Sequence, residues 1–284
     1  MQPQSDPNPT AVNPLASVSI PPRPALLMAL QREMRKDDPD FGKIGQLLRR
    51  DVGMAGTLLK TANSAFYATQ RHVETIEDAI VLVGMNQFSA LMTGLITRRV
   101  LANGAMMMAR FWDVSEKRSA GMGYVAKQTR TLSPELAFSF GLFCDIGIPL
   151  LKAHFPSYLQ TLEIANHGSA RFTLVEDERH GINHTQAGAM LAESWGIAGE
   201  VVQAIRLHHT LEALHDKGVA LTVRKLIAAN LLVERAIQEH RQDNGYSEWS
   251  DGCAAAIVTL GLHAADAEAL CEELKARFDG AVIS

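Results

Sequence analysis

Apolar residues recur every three or four positions along most of the chain after residue 20, the spacing that places them on one face of an α-helix. Leu26, Leu27, Leu30 and Met34 form the first such stripe, behind Pro21, Pro22 and Pro24. Proline suits a helix start because the first N–H groups there have no intrahelical acceptor. Asp40 is expected to cap a helix bearing Ile44, Leu47 and Leu48, and Thr75 with Asp78 resembles a capping box ahead of Ala79, Ile80 and Val83. Gly84 ends that element, and a long apolar helix is predicted from about Met85 to Leu101. Asn103 to Arg110, with three consecutive methionines, reads as a loop, followed by a helix from Phe111 to Thr129. Ser133 and Pro134 open another helix, which carries Leu136, Phe140 and Phe143. Further helical patterns run over Val219 to Glu239, Cys253 to Leu262 and Ala265 to Phe278. Alternating strand patterns are absent, so the sequence predicts an all-α fold.

The first nineteen residues are rich in Pro, Asn, Gln and Ser and lack periodicity, and are expected to be a disordered tail. Two helical lobes are expected around the methionine loop, 20–110 and 111–215, together forming one domain over 20–215. Residues 216–284 would be a helical extension that covers the core or offers an interaction face.

Composition narrows the function. With 284 residues and 47% hydrophobic content the chain has ample material for a core. Lys and Arg number 27 against 31 Asp and Glu, a formal net charge of −4 with no basic stripe, so nucleic acid is not an expected partner. Cys144, Cys253 and Cys271 are odd in number and far apart, which points away from a disulfide framework and towards a reducing cytoplasm. Met1 to Ser19 has no secretory pattern, and no uninterrupted apolar run of roughly 18 residues is seen, so no membrane span is expected.

The candidate chemistry lies in E-D-E-R-H-G-I-N-H-T-Q-A-G-A-M-L-A-E-S-W-G, from Glu176 to Gly196, followed by I-R-L-H-H ending at His209. An upstream element, G-L-F-C-D-I-G at Gly141 to Gly147, answers it. In the first lobe stand Asp51, the N-S-A-F-Y run from Asn63 to Tyr67 and the A-I-V-L-V-G-M run from Ala79 to Met85. As a set, over about residues 20 to 215, these resemble the HDOD family, a degenerate relative of the HD metal-dependent phosphohydrolases. The resemblance implies a two-lobed helical fold with an HD-like second lobe.

It also implies a metal site with several positions changed. Parent HD enzymes use a His, an adjacent His-Asp pair and a late Asp, and many members add two further His. Imidazole and carboxylate ligands suit divalent metals, which lower the pKa of bound water. Aligned on Trp112 and Ser115, the first His position is Val114. The His of the pair is Cys144, Asp145 is kept, and the late Asp is Asn230. His184 and either His208 or His209 occupy the two added positions. Adjacent residues on a helix lie about 100° apart, so His208 and His209 are not both expected to point inward. The expectation is that no cofactor is bound. The alternative is a single divalent metal held by Cys144, Asp145, His184 and His208, the thiolate favouring zinc. Cys144 otherwise reads as an inert core residue.

The same residues also admit a structural role. Asp145 can cap the helix that Pro149 opens. His184, Gly188, Leu191 and Trp195 share a helical face, with Gly188 allowing close approach and Trp195 buried at the end. Asn63 and Ser64 are expected to tie off the preceding helix. His154, His167, His180, His215, His240 and His263 read as surface residues. A thiol nucleophile at Cys144 lacks supporting motifs, and no Gly-rich phosphate loop is present. The resemblance therefore implies a non-enzymatic signalling module with an unidentified protein partner or a nucleotide second messenger as ligand. A degenerate metal phosphohydrolase is the alternative.

Overall fold

The computed structural model describes residues 18–49, 52–63, 72–101, 108–167, 171–243 and 248–280. The expected tail up to residue 17 lies outside the described residues, as do Asp51, Ser64 to Tyr67 and most of the methionine loop. The described residues contain helices and no strand. In chain order the helices are α1 (Ala25–Met34), α2 (Phe41–Arg49), α3 (Val52–Ala62), α4 (Ile76–Val83), α5 (Met85–Leu101), α6 (Ala109–Thr129), α7 (Pro134–Phe143) and α8 (Gly147–His154). They continue with α9 (Tyr158–His167), α10 (Phe172–His180), α11 (His184–Ser194), α12 (Gly199–Leu207), α13 (Leu221–His240), α14 (Trp249–Leu260) and α15 (Ala264–Gly280). A 3₁₀ turn at Leu211–Leu214 joins α12 to α13.

Local signals set many of these boundaries. Thr75 accepts from the Asp78 N–H at 3.0 Å, Asp40 from Lys43 at 2.9 Å and Ser133 from Leu136 at 3.2 Å, each satisfying a donor that the helix itself cannot. Gly84, at φ 84°, separates α4 from α5. Asn63 donates to Leu59 and Val73 carbonyls and accepts from the Val73 N–H, which pins the end of α3.

The lobes expected on either side of the methionine loop pack together. Leu142 of α7 lies over Gly94 of α5, and Ser115 of α6 donates to the Leu142 carbonyl at 2.8 Å. Behind them α6 and α7 approach closely at Gly141, where a Cβ would stand 2.7 Å from the Ser119 Cα. Helix α13 lies against α6 and carries a run of buried residues including Leu226, Ile227, Asn230, Leu232 and Val233. The segment after residue 215 is thus built into the core. Trp195 ends α11 fully buried, its Nε1 donating to the Pro21 carbonyl at 2.9 Å.

Pro134–His154, taken as one element of 21 residues with mean hydropathy 1.6, is long and apolar enough to cross a membrane, although 67% of it is buried inside the bundle. Glu135, Asp145 and Lys152 break it, in keeping with the expectation that no uninterrupted apolar run of that length occurs.

Candidate functional site

Four ligand-type side chains converge where α8, α11 and the end of α12 meet. Asp145, His184, His208 and His209 each offer an atom, and all four atoms lie within 4.8 Å of one another. Asp145 sits in the turn between α7 and α8. Its backbone carbonyl accepts from the Ile148 N–H at 2.8 Å, and the expected side-chain cap is not made. The carboxylate is committed to ionic partners instead.

His184 is the first residue of α11, fixed by the capping box of Asn183 and Gln186. Gly147 and Gly188 bring α8 and α11 into backbone contact, which carries His184 to Asp145.

His208 and His209 both enter the cluster, which corrects the expectation that only one would. Helix α12 stops at Leu207, His208 is its C-cap, and Thr210 N–H bonds back to Leu207 at 2.7 Å. The chain passes there from the helix into a tight turn, and the two rings lie with centroids 4.1 Å apart. His209 keeps 23% side-chain exposure and Asp145 17%, while His184 and His208 are buried.

Every histidine is held from behind by an oxygen. His184 Nδ1 is 2.6 Å from Glu176 Oε2, His208 Nδ1 is 2.8 Å from the Ile205 carbonyl, and His209 Nδ1 is 2.8 Å from Glu248 Oε1. Carboxylates and carbonyls only accept, so each Nδ1 carries a proton. Glu176 is fully buried; it also takes a hydrogen bond from the Tyr158 hydroxyl and another from the His184 N–H at 3.2 Å. The three Nε2 atoms face inward. His184 Nε2 is 3.2 Å from His209 Nε2 and 3.6 Å from Asp145 Oδ1. His208 Nε2 is 3.2 Å from Asp145 Oδ1, buried, and without a hydrogen bond.

Charge sets the protonation. Burial would raise the Asp145 pKa, but the Arg118 guanidinium and the neighbouring histidines outweigh it and hold the carboxyl well below the usual range. His208 is pushed down to about 4 by burial and by His209. For His184, burial acts downward, but Glu176 overrides it and raises the imidazole.

The other oxygen of Asp145 is taken. Arg118 of α6 lies 2.7 Å from Asp145 Oδ2 and also pairs with Glu234 of α13. Val114, the changed first position, is one turn before Arg118, and Asn230, the changed last position, is one turn before Glu234. Cys144 is buried and outside the four-atom group. Its Sγ faces Asn230 Oδ1 at 3.9 Å, and burial, reinforced by Asp145, pushes the thiol pKa well up. The expected alternative ligand set is thus altered, with His209 taking the place given to Cys144.

Sequence reasoning named Asp145 and the histidines and assigned no role to Arg118, Glu176, Glu234 or Glu248. Of the remaining histidines, His154, His215 and His263 are exposed, His167 has no described side chain, and His180 stacks on Phe155 at a centroid distance of 4.5 Å.

A protein of Treponema pallidum is 26% identical over 195 residues, 68% of this chain, which spans only 38% of that relative's length. A solved structure from Shewanella amazonensis, provisionally named a phosphohydrolase, superposes with a TM-score of 0.68 at 23% identity, covering 94% of this chain and 97% of its own. Another from Marinobacter aquaeolei, provisionally named a signal transduction protein, gives a TM-score of 0.72 at 23% identity over 92% of this chain and 58% of its own. At such identities the structures establish a shared fold. Residues 20–211 match the HDOD domain, and the chain belongs to the HDOD family.

Proposed function

We propose that the chain is a non-enzymatic, cytoplasmic regulatory module, acting in signal transduction through a protein partner or a small ligand. The observation that carries this reading is the double engagement of Asp145. Asp145 is the one carboxylate in the four-residue cluster, so a two-metal hydrolytic centre here would need it to serve both ions. Here Oδ2 is bound by Arg118 at 2.7 Å, so a guanidinium occupies the side where a second ion would have to bind. Val114 has no donor atom, and Asn230 supplies no negative charge to offset a second metal. His184 and His208 are buried, which leaves little room for a phosphoester to approach them.

The surviving Asp145 and three histidines support a second reading, a degenerate metal-dependent phosphohydrolase of a nucleotide or cyclic dinucleotide. Turnover of cyclic dinucleotides and of a generic aryl phosphodiester, with Mn(II) added to the intact chain, separates the two. The regulatory reading expects turnover no faster than in an Asp145→Ala control. Metal-dependent hydrolysis that disappears in Asp145→Ala would overturn it.

A further inference from the structure

The inward-facing atoms of the cluster present a problem of hydrogen-bond accounting. Because each Nδ1 donates to an oxygen, a neutral imidazole at any of these positions presents a bare lone pair at Nε2. Three such nitrogens point at each other and at Asp145 Oδ1, which is itself only an acceptor. His208 Nε2 has no hydrogen bond although it is buried, and leaving a buried polar atom unmatched is costly. A set of lone pairs aimed at one point is satisfied by a Lewis acid at that point.

The spacing fits one. Two ligands about 2.0–2.1 Å from a zinc ion at tetrahedral angles stand roughly 3.3–3.4 Å apart. Three of the six separations are 3.2 Å, 3.6 Å and 3.2 Å, running His209 Nε2 to His184 Nε2 to Asp145 Oδ1 to His208 Nε2, and all four atoms lie within 4.8 Å of one another, so a small inward movement closes the tetrahedron. The surroundings fit as well. Metal-bound histidines ordinarily donate their other nitrogen to a carboxylate or carbonyl, which fixes the tautomer and raises the basicity of the ligand. Glu176, Glu248 and the Ile205 carbonyl are placed for that role.

We propose that Asp145 Oδ1 and the Nε2 atoms of His184, His208 and His209 form a closed, four-coordinate site for a single divalent transition ion of the zinc type. The ligand set uses both members of the His208–His209 pair and no sulfur. This deepens the regulatory reading of the same site and rests on it for the ion's role, because four protein ligands make a structural centre, in contrast to catalytic zinc with its open position. The ion would tie the α7–α8 turn, the start of α11 and the end of α12 into one unit.

Cobalt(II) titration of the tag-free full chain, after chelator treatment, tests this directly. The expected result is one equivalent bound with the strong visible absorption of tetrahedral cobalt, displaced by zinc and accompanied by a higher melting temperature. His209→Ala should weaken binding by more than about 100-fold, and Glu176→Gln by about 10- to 100-fold. No binding, two equivalents, a weak octahedral spectrum, or a near-ultraviolet thiolate band from Cys144 would each overturn the assignment. The wild-type spectrum decides even if a variant fails to fold. Metal binding with phosphoester turnover would sink the regulatory reading and leave the site standing. A metal-free, inactive protein would do the reverse.

Discussion

Gly147 and His184 touch through their backbones: a Cβ at Gly147 would stand 2.7 Å from the His184 carbonyl carbon and 2.8 Å from the Gly188 N–H. Helix α8 can therefore lie directly on the first turn of α11, and that contact sets how far Asp145 is from His184. Backbone cannot move aside as a flexible side chain can. Gly147→Ala is expected to cost at least the roughly 1–3 kcal/mol typical of overpacking. Chemical denaturation with tryptophan fluorescence measures it, and a variant as stable as wild type would show that the two helices can slide apart. Gly188→Ala, whose nearest backbone neighbour would be 3.0 Å away, should cost less.

Arg118 is expected to be the most sensitive charged residue in the bundle. It is buried between Asp145 and Glu234, and burial, opposed by Arg118, raises the Glu234 carboxyl. Removing one partner of a buried ion pair typically costs about 3–5 kcal/mol, because the remaining charges lose their counter-ion. Arg118→Met should fall in that range. Adding Glu234→Gln to that variant should restore part of the loss, a coupling of about 0.5–3 kcal/mol. Simple additivity of the two changes in a double-mutant cycle would show that the pair is not energetically linked.

Trp195 offers a test of the core. It is fully enclosed, and its indole N–H reaches across to Pro21, holding the start of the described chain against the end of α11. Trp195→Ala should destabilise by about 3–5 kcal/mol, a large part of a typical domain's stability. Trp195→Phe should recover part of it, losing the hydrogen bond, worth roughly 0.5–1.5 kcal/mol, and the packing of the ring atoms that Phe lacks. Thermal melts of the two variants should differ accordingly.

His180 supplies a pH dependence away from the ligand cluster. The Thr161 hydroxyl accepts from Arg179 Nε at 2.9 Å, which directs its own hydrogen to His180 Nε2 at 2.8 Å and favours the neutral ring. Burial, and then the Arg179 charge, depress the His180 pKa. The unfolded imidazole, titrating near about 6.5, binds protons more readily than the folded one. Stability is thus undiminished above that pH and declines as pH falls from it through the folded pKa, levelling off below. His180→Gln should flatten this part of the urea-denaturation profile. A proton resonance of His180 that titrates at or above the ordinary value would contradict the assignment.

The helical architecture was legible because its signals are local. Thr75, Gly84 and Ser133 punctuate the chain where the helices begin and end, and the spacing of His184, Gly188, Leu191 and Trp195 marked a buried face. The site was legible only in part. Asp145 and His184 stand in recognisable runs, but the inclusion of both His208 and His209 depended on a helix ending one residue before them, a boundary that carries no strong stop signal. The supporting charges were hidden for a different reason. Glu176 lies in a charged run that reads as a solvated face, yet it is fully buried while its neighbour Leu174 is exposed. The one available hint was its place four residues after Phe172, on the same side of α10. Arg118 and Glu234 are 116 residues apart and meet only because α6 and α13 pack together.

The match to the HDOD domain ends at residue 211, but Glu234 and Glu248 come after it. A fragment trimmed to the matched segment would carry Asp145 and all three histidines and leave behind the carboxylates that hold His209 and Arg118. His209 would lose the acceptor that fixes its tautomer, and Arg118 would keep one carboxylate of two. Transplanting this centre into another helical scaffold therefore requires the sequence to at least Glu248, well beyond the end of the HDOD match.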